Sequence, residues 1–155
     1  MINLVYLLAD THSSVVMQDV MMGKIRVMIV DDQKSIRDLL RSIVEGLGAE
    51  VVSEACDGIE AVELFKKHAP DVTLMDINMP CMDGIEALQQ IIALNSDALV
   101  LMLSSQNSIE VVKKCLTSGA KNFILKDNPP EVMAAEMKAT WSSCLDLEEA
   151  CRGEL

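Results

Sequence analysis

From Lys24 onward the chain alternates five times between a short apolar run and a stretch of helical periodicity, and this rhythm restricts its fold more than any other feature. The runs Ile25–Val30, Glu50–Ala55, Val72–Met75, Ala98–Leu103 and Asn122–Leu125 have the length of strands. Several are apolar at successive positions, as strands covered on both faces are. After the first run, Ile36, Leu39, Leu40, Ile43, Val44 and Leu47 fall at helical spacing and form one core-facing stripe. Ile85, Leu88 and Ile92 form a second such stripe, Ile109, Val112 and Leu116 a third, and Met133, Met137, Trp141 and Cys144 a fourth. Five βα units joined by right-handed crossovers predict an α/β fold, a doubly wound five-stranded parallel sheet with helices on both faces. Ligands of such sheets sit beyond the carboxyl ends of the strands, so function is to be sought there.

The whole chain has 155 residues, enough for one domain, and no attached DNA-binding module is expected to fit beside it. Its 24 acidic against 13 basic residues disfavour nucleic acid and anionic membrane surfaces as direct partners. Five cysteines, odd in number and without a C-x-x-C pair, read as reduced thiols of a cytoplasmic protein and not as a zinc site. The apolar segment Met1–Ala9 lacks the basic start and cleavage pattern of a signal peptide and is too short to span a bilayer. Met17, Met21 and Met22 precede the first strand, so residues 1–23 are expected to be an extension that is loosely ordered or read from a misplaced start. Residues 24–145 form the domain, and residues 146–155 are expected to be an acidic tail. His12 lies in the extension, while His68 follows Lys66 and Lys67 at a helix end, where bases suit the dipole; both are expected at the surface.

Four of the five runs stop on polar side chains: Asp31-Asp32 after the first, Asp76 after the third, Ser104-Ser105 after the fourth and Lys126 after the fifth. Each alone has an ordinary explanation, since Asp32 or Ser104 can cap the next helix and Lys126 can be solvated. Parallel topology, however, brings all four ends to one rim. Three carboxylates gathered there repel, and either raise a pKa or recruit a cation. Hard oxygen ligands suit Mg2+, which completes its octahedron with water and phosphate oxygens. Lys126 supplies a point charge and Ser104 a hydroxyl for phosphoryl oxygens. The set fits phosphoryl transfer, with a carboxylate as the nucleophile.

These residues resemble the receiver domains of bacterial two-component response regulators. The likeness rests on Val30-Asp31-Asp32, on the run from Leu74 to Gly84 that contains Asp76-Ile77-Asn78-Met79-Pro80, on Leu103-Ser104-Ser105 and on the run from Gly119 to Lys126. It implies a flavodoxin-like (βα)5 fold with strand order 2-1-3-4-5. It further implies that Asp76 is the phosphoacceptor, that Asp31 and Asp32 hold Mg2+ directly or through water, and that the Asn78 backbone carbonyl completes the protein ligands. Ser104 and Lys126 would contact the phosphoryl group, Phe123 would be the aromatic switch that follows Ser104, and Asn78 and Gln106 would tune hydrolysis. Met79 to Gly84 reads as a loop, shaped by Pro80 and by Asp83-Gly84. Lys126 is followed by Asp127 where many receivers have proline, so a trans Lys126-Asp127 bond is expected. That Lys-Asp pair is similar to receivers of DNA-binding regulators, whereas the Asp76 loop is similar to the chemotaxis type.

The resemblance implies a stand-alone, chemotaxis-regulator-like receiver rather than a turnover enzyme. It would take a phosphoryl group from a histidine kinase or phosphotransfer protein. It would then signal through the face made by the fourth helix, fifth strand and fifth helix. Two alternatives compete: an interaction module of the same fold that is not phosphorylated, and a phosphatase of the haloacid-dehalogenase type. The latter resemble Asp-x-Asp, and here the second position is Asn78. Dinucleotide or flavin binding is weaker, because Asp31-Asp32-Gln33-Lys34-Ser35 lacks the glycines that let a backbone approach phosphates.

Overall fold

A computed structural model describes the backbone of residues 23–153 and the side chains of residues 23–145. The expectations for residues 1–22, and the placement of His12, lie outside the described residues. Ten elements alternate without exception: β1 Arg26–Val30, α1 Lys34–Gly46, β2 Glu50–Ala55, α2 Gly58–His68, β3 Val72–Asp76, α3 Gly84–Leu94, β4 Val100–Ser104, α4 Ile109–Thr117, β5 Asn122–Leu125 and α5 Pro130–Gly153. The strands form one parallel sheet in the order β2-β1-β3-β4-β5, the doubly wound arrangement expected from the alternation. α5 continues through Gly153, into the segment set apart above as a tail. Among the described residues no helix is long and apolar enough to cross a membrane.

Side chains alternate across the sheet with period two, and each set meets its own layer of helices. Val27, Ile29, Val72, Leu74, Leu101, Leu103 and Ile124 face α1 and α5, where Leu40, Ile43, Val44, Met133, Met137 and Trp141 receive them. Met28, Val30, Met75, Val100 and Met102 face the other way, toward Ala61 and Phe65 of α2, Ile85, Leu88 and Ile91 of α3, and Cys115 of α4. Because both faces are covered, β3 and β4 are buried at every residue. Their unbroken apolar runs follow from that double burial.

The register explains why the strand ends converge. Val30 of β1 lies opposite both Ala55 and Met75, Asp76 lies opposite Leu103, and Ser104 lies opposite Leu125. β3 runs one residue beyond the expected Met75 and β4 one beyond Leu103, so Asp76 and Ser104 are themselves the last ladder residues. At the other end, β1 begins at Arg26 and β4 at Val100, later than Ile25 and Ala98.

The stripe expected for α4 has the wrong phase. Ile109 is 72% exposed and Leu116 46% exposed, while Cys115 is fully buried and Val111 packs beside it. Val111 and Cys115 are also four residues apart, and a free cysteine packs as a small hydrophobe, so α4 offers two overlapping stripes. The structure buries the inner one. Gly119 has φ +110°, and a Cβ there would lie 2.9 Å from Cγ1 of Ile92. The positive φ and the close approach to α3 favour glycine at the end of α4. Burial of the thiol raises the Cys115 pKa, as an apolar surrounding should.

The two kinds of position are separable by urea unfolding. Leu101→Ala empties a fully buried site between the layers and is expected to cost about 2–5 kcal/mol. Ile109→Ser is expected to stay within about 0.5 kcal/mol of the parent, which an inward-facing Ile109 would not.

Candidate functional site

Three carboxylates meet at the carboxyl edge of the sheet. Each of Asp31, Asp32 and Asp76 offers an oxygen, and these oxygens all lie within 4.8 Å of one another. Asp31 is fully buried and Asp76 nearly so, whereas Asp32 is exposed. The Lys126 ammonium donates to Oδ1 of Asp76 at 2.8 Å and also to Oδ2 of Asp31. One ammonium thus joins the ends of β1 and β3 from the end of β5. Its own backbone is fixed, since the Lys126 N–H donates to the Ser104 carbonyl at 2.9 Å.

The helix-cap explanations for these acids and for Ser104 do not hold. α1 is preceded by Gln33 and has no side-chain cap; Asp31 Oδ1 instead accepts the Gln33 N–H at 2.9 Å, which closes the turn between strand and helix. α4 is capped by Ser108, not Ser104. Ser104 is buried, and its hydroxyl accepts the Gln106 N–H at 3.0 Å, leaving its own proton free to be donated. Gln106 and Asn78 are exposed at the rim. Phe123 of β5 is half-buried and packs against the core on the α2–α3–α4 side. The Lys126-Asp127 bond is trans, as expected without a proline.

The loop between β3 and α3 is held by two glycines whose role is close approach. A Cβ on Gly84 would lie 1.9 Å from the Asp76 carbonyl oxygen, and a Cβ on Gly58 would lie 2.5 Å from the Met82 carbonyl oxygen. Neither position admits another residue without moving main chain. The Gly84 N–H donates to the Ile77 carbonyl and the Gly58 N–H to the Met82 carbonyl, so the loop is tied at both sides. Between them the Met82 N–H donates to the Pro80 carbonyl across Cys81, whose φ is +67°, a γ-turn. Asp83 then caps α3 by accepting from the N–H groups of Ile85 and Glu86. The sequence alone marks Asp83-Gly84 only as a turn. The available signal was a glycine directly after an aspartate cap, where the conformation itself does not demand one.

Electrostatics follow the geometry. Burial pushes the Asp76 carboxyl up from its ordinary 3.8, and the Asp31 charge adds to this, against the hydrogen bond and charge of Lys126. Burial alone would lower Lys126, but hydrogen bonds to Asp31 and Asp76 and the charges of both outweigh it, so its pKa is raised. The expected repulsion among clustered acids is thus present at Asp76. Three carboxylates against one ammonium leave the pocket with a formal excess of two negative charges. That excess, carried on hard oxygens, fits a divalent cation such as Mg2+. The thiols do not compete for a role here: a hydrogen bond to Glu60 raises the pKa of Cys56, and a raised pKa disfavours the reactive thiolate.

The response regulator receiver domain profile matches residues 27–138 of this chain. The chain belongs to the response regulator receiver domain family. Among curated proteins, the chemotaxis protein CheY of Thermotoga maritima is 41% identical over 109 residues, which is 70% of this chain and 90% of that protein. CheY of Bacillus subtilis is 43% identical over 101 residues, 65% of this chain and 84% of that protein. In three dimensions, a chain of the CheX-CheY-BeF3-Mg2+ complex from Borrelia burgdorferi superposes with a TM-score of 0.74 at 34% identity, covering 77% of this chain and 92% of that one. The receiver fold and its acidic pocket are therefore both present, in the strand order the family resemblance implied.

Two consequences are measurable. A carboxyl whose folded pKa lies above its unfolded value makes a contribution to stability that is present at pH below the unfolded value and lost as pH rises through the folded one. Asp76→Asn removes that loss while keeping an oxygen for Lys126. In Mg2+-free buffer at pH 7 the variant is expected to melt higher than the parent, with the gap closing toward pH 4. A lower melting temperature at pH 7 would contradict the direction of the shift. Gly84→Ala must displace the Asp76 carbonyl, and is expected to weaken Mg2+ binding about tenfold or more, read by calorimetric titration beside a melting curve.

Proposed function

We propose that this receiver accepts a phosphoryl group on Asp76 and signals through the phosphorylated state. The observation that carries the reading is the buried Asp76 carboxylate, gathered with Asp31 and Asp32 and bridged by Lys126. In the transfer, an Asp76 oxygen forms a bond to phosphorus as the bond from phosphorus to the donor's histidine nitrogen breaks. The electron pair stays on the imidazole nitrogen, which takes up a proton. Asp31, Asp32, Asp76 and the Asn78 backbone carbonyl would hold Mg2+, which when bound neutralises charge on the phosphoryl oxygens. Lys126, already hydrogen-bonded to the acceptor, follows the charge onto a phosphoryl oxygen. Ser104, with its proton free, donates to another.

Hydrolysis of the acyl phosphate later returns the carboxylate, with Asn78 and Gln106 at the rim tuning access of water. The protein thus catalyses its own modification and does not turn over a separate substrate. The donor is a histidine kinase or phosphotransfer protein of the cytoplasm. The downstream partner is a protein that docks on α4, β5 and α5, where Ile109, Leu116 and Val132 are exposed apolar residues. Phe123 lies on β5, a strand of that face, and would couple the face to the site by moving inward with Ser104.

Incubation with acetyl phosphate and Mg2+ tests the reading. Intact-mass analysis is expected to show one added phosphoryl group, absent with EDTA and absent in Asp76→Asn. Undiminished phosphorylation of Asp76→Asn would contradict it. Turnover of small phosphate esters with no retained phosphoryl group would favour the phosphatase alternative.

A further inference from the structure

Beneath the acidic pocket lies an ion network that the chemistry above does not use. Arg37 of α1 donates from Nη1 to the backbone carbonyl of Asp31 at 2.8 Å. Its Nε lies 3.7 Å from Oε2 of Glu54 on β2. Glu54 is gripped from the other side by Arg41, one helical turn along α1, whose Nε and Nη2 donate to Oε1 at 3.1 and 2.9 Å. The Arg37 side chain is only 17% exposed, so this is a partly desolvated contact rather than a solvated surface pair. The arginine fork suits the task, because it can hold a carboxylate and a carbonyl at once in fixed geometry.

The carbonyl that Arg37 holds belongs to the Asp31-Asp32 peptide, and the orientation of that peptide sets where Asp32 leaves the chain. Every other polar group of Asp31 is also fixed: its N–H donates to the Ala55 carbonyl, Oδ1 accepts from Gln33 and Oδ2 from Lys126. Asp32 differs. Its carboxylate belongs to the cluster yet stands exposed, and among the described residues no side chain donates to it. The backbone it hangs from is therefore what holds the start of its side chain in place.

We propose that Arg37, braced by Glu54 and Arg41, is a positioning residue for the divalent-cation site, fixing the Asp31-Asp32 peptide so that the Asp32 carboxylate is presented to the metal. The proposal rests on the metal reading of the pocket. Two effects of Arg37 have opposite signs, which makes the test sharp. As a nearby positive charge it opposes a cation, so its removal would tighten Mg2+ binding. As a positioning group its removal loosens a ligand and weakens binding.

The experiment is calorimetric titration of Mg2+ into the full chain, with amide NMR shifts of Asp31, Asp32 and Asn78 followed in parallel. For the parent, Arg37→Met, Arg37→Lys and Glu54→Gln, melting curves without metal report folding. Arg37→Met is expected to weaken Mg2+ binding about tenfold and to move the Asp32 amide before metal is added. Arg37→Lys keeps the charge but loses the fork, and is expected to weaken binding as well, with Glu54→Gln falling between it and the parent. Unchanged or tighter binding by folded Arg37→Met or Arg37→Lys would overturn the positioning role alone. Absence of Mg2+ binding by the parent would overturn the metal reading and this proposal with it.

Discussion

The Lys126 ammonium, shared between Asp31 and Asp76, is the interaction around which the functional edge is organised. Two carboxylates buried at the ends of neighbouring strands would repel in a medium where charge is poorly screened. A single cation from the far edge strand makes their burial tolerable. It does so incompletely, because the Asp76 carboxyl remains raised by burial and by Asp31. Negative charge thus survives in excess at the rim, and a pocket with such an excess has a use for a divalent cation and for groups that bring their own countercharge. Structural stability and chemical readiness are in tension at Asp76, as is common where pKa values are perturbed.

That interaction depends on the sheet delivering three strand ends to the same level. The parallel register places Asp76 opposite Leu103 and Ser104 opposite Leu125, and the Lys126 N–H closes on the Ser104 carbonyl. Close approach does the rest. Gly84 lets α3 start directly against the Asp76 carbonyl, and Gly58 lets the loop between β3 and α3 rest on the start of α2. On the opposite side, Arg37 reaches from α1 to the Asp31 carbonyl. Two helices, α1 and α3, therefore touch the backbone of the pocket aspartates themselves, and not merely the core beneath them.

Much of this was legible in the amino-acid sequence because it is written in periodicity. Strands buried on both faces leave apolar runs, and a polar residue that ends such a run stands out. Asp31, Asp76, Ser104 and Lys126 were found that way, and the structure gathers them. Less legible were features that depend on distance. The phase of α4 is ambiguous in the sequence, because Ile109 and Leu116 on one side compete with Val111 and Cys115 on the other. The side that the structure buries is the one that carries Cys115. Gly84 looked like a turn residue, since nothing local reveals a carbonyl 1.9 Å from where its Cβ would be. Arg37, Glu54 and Arg41 carried no signal at all, because a basic side chain on a helix and an acidic one on a strand are common on any surface.

The central claim is that Asp76 becomes an acyl phosphate. An acyl phosphate is reduced by borohydride to the alcohol, which marks the modified position covalently. After treatment with acetyl phosphate and Mg2+, borohydride reduction and peptide mapping by mass spectrometry are expected to place a single homoserine at position 76. Homoserine at position 31 or 32 instead, or reduction at none of the three aspartates of the pocket, would contradict the claim.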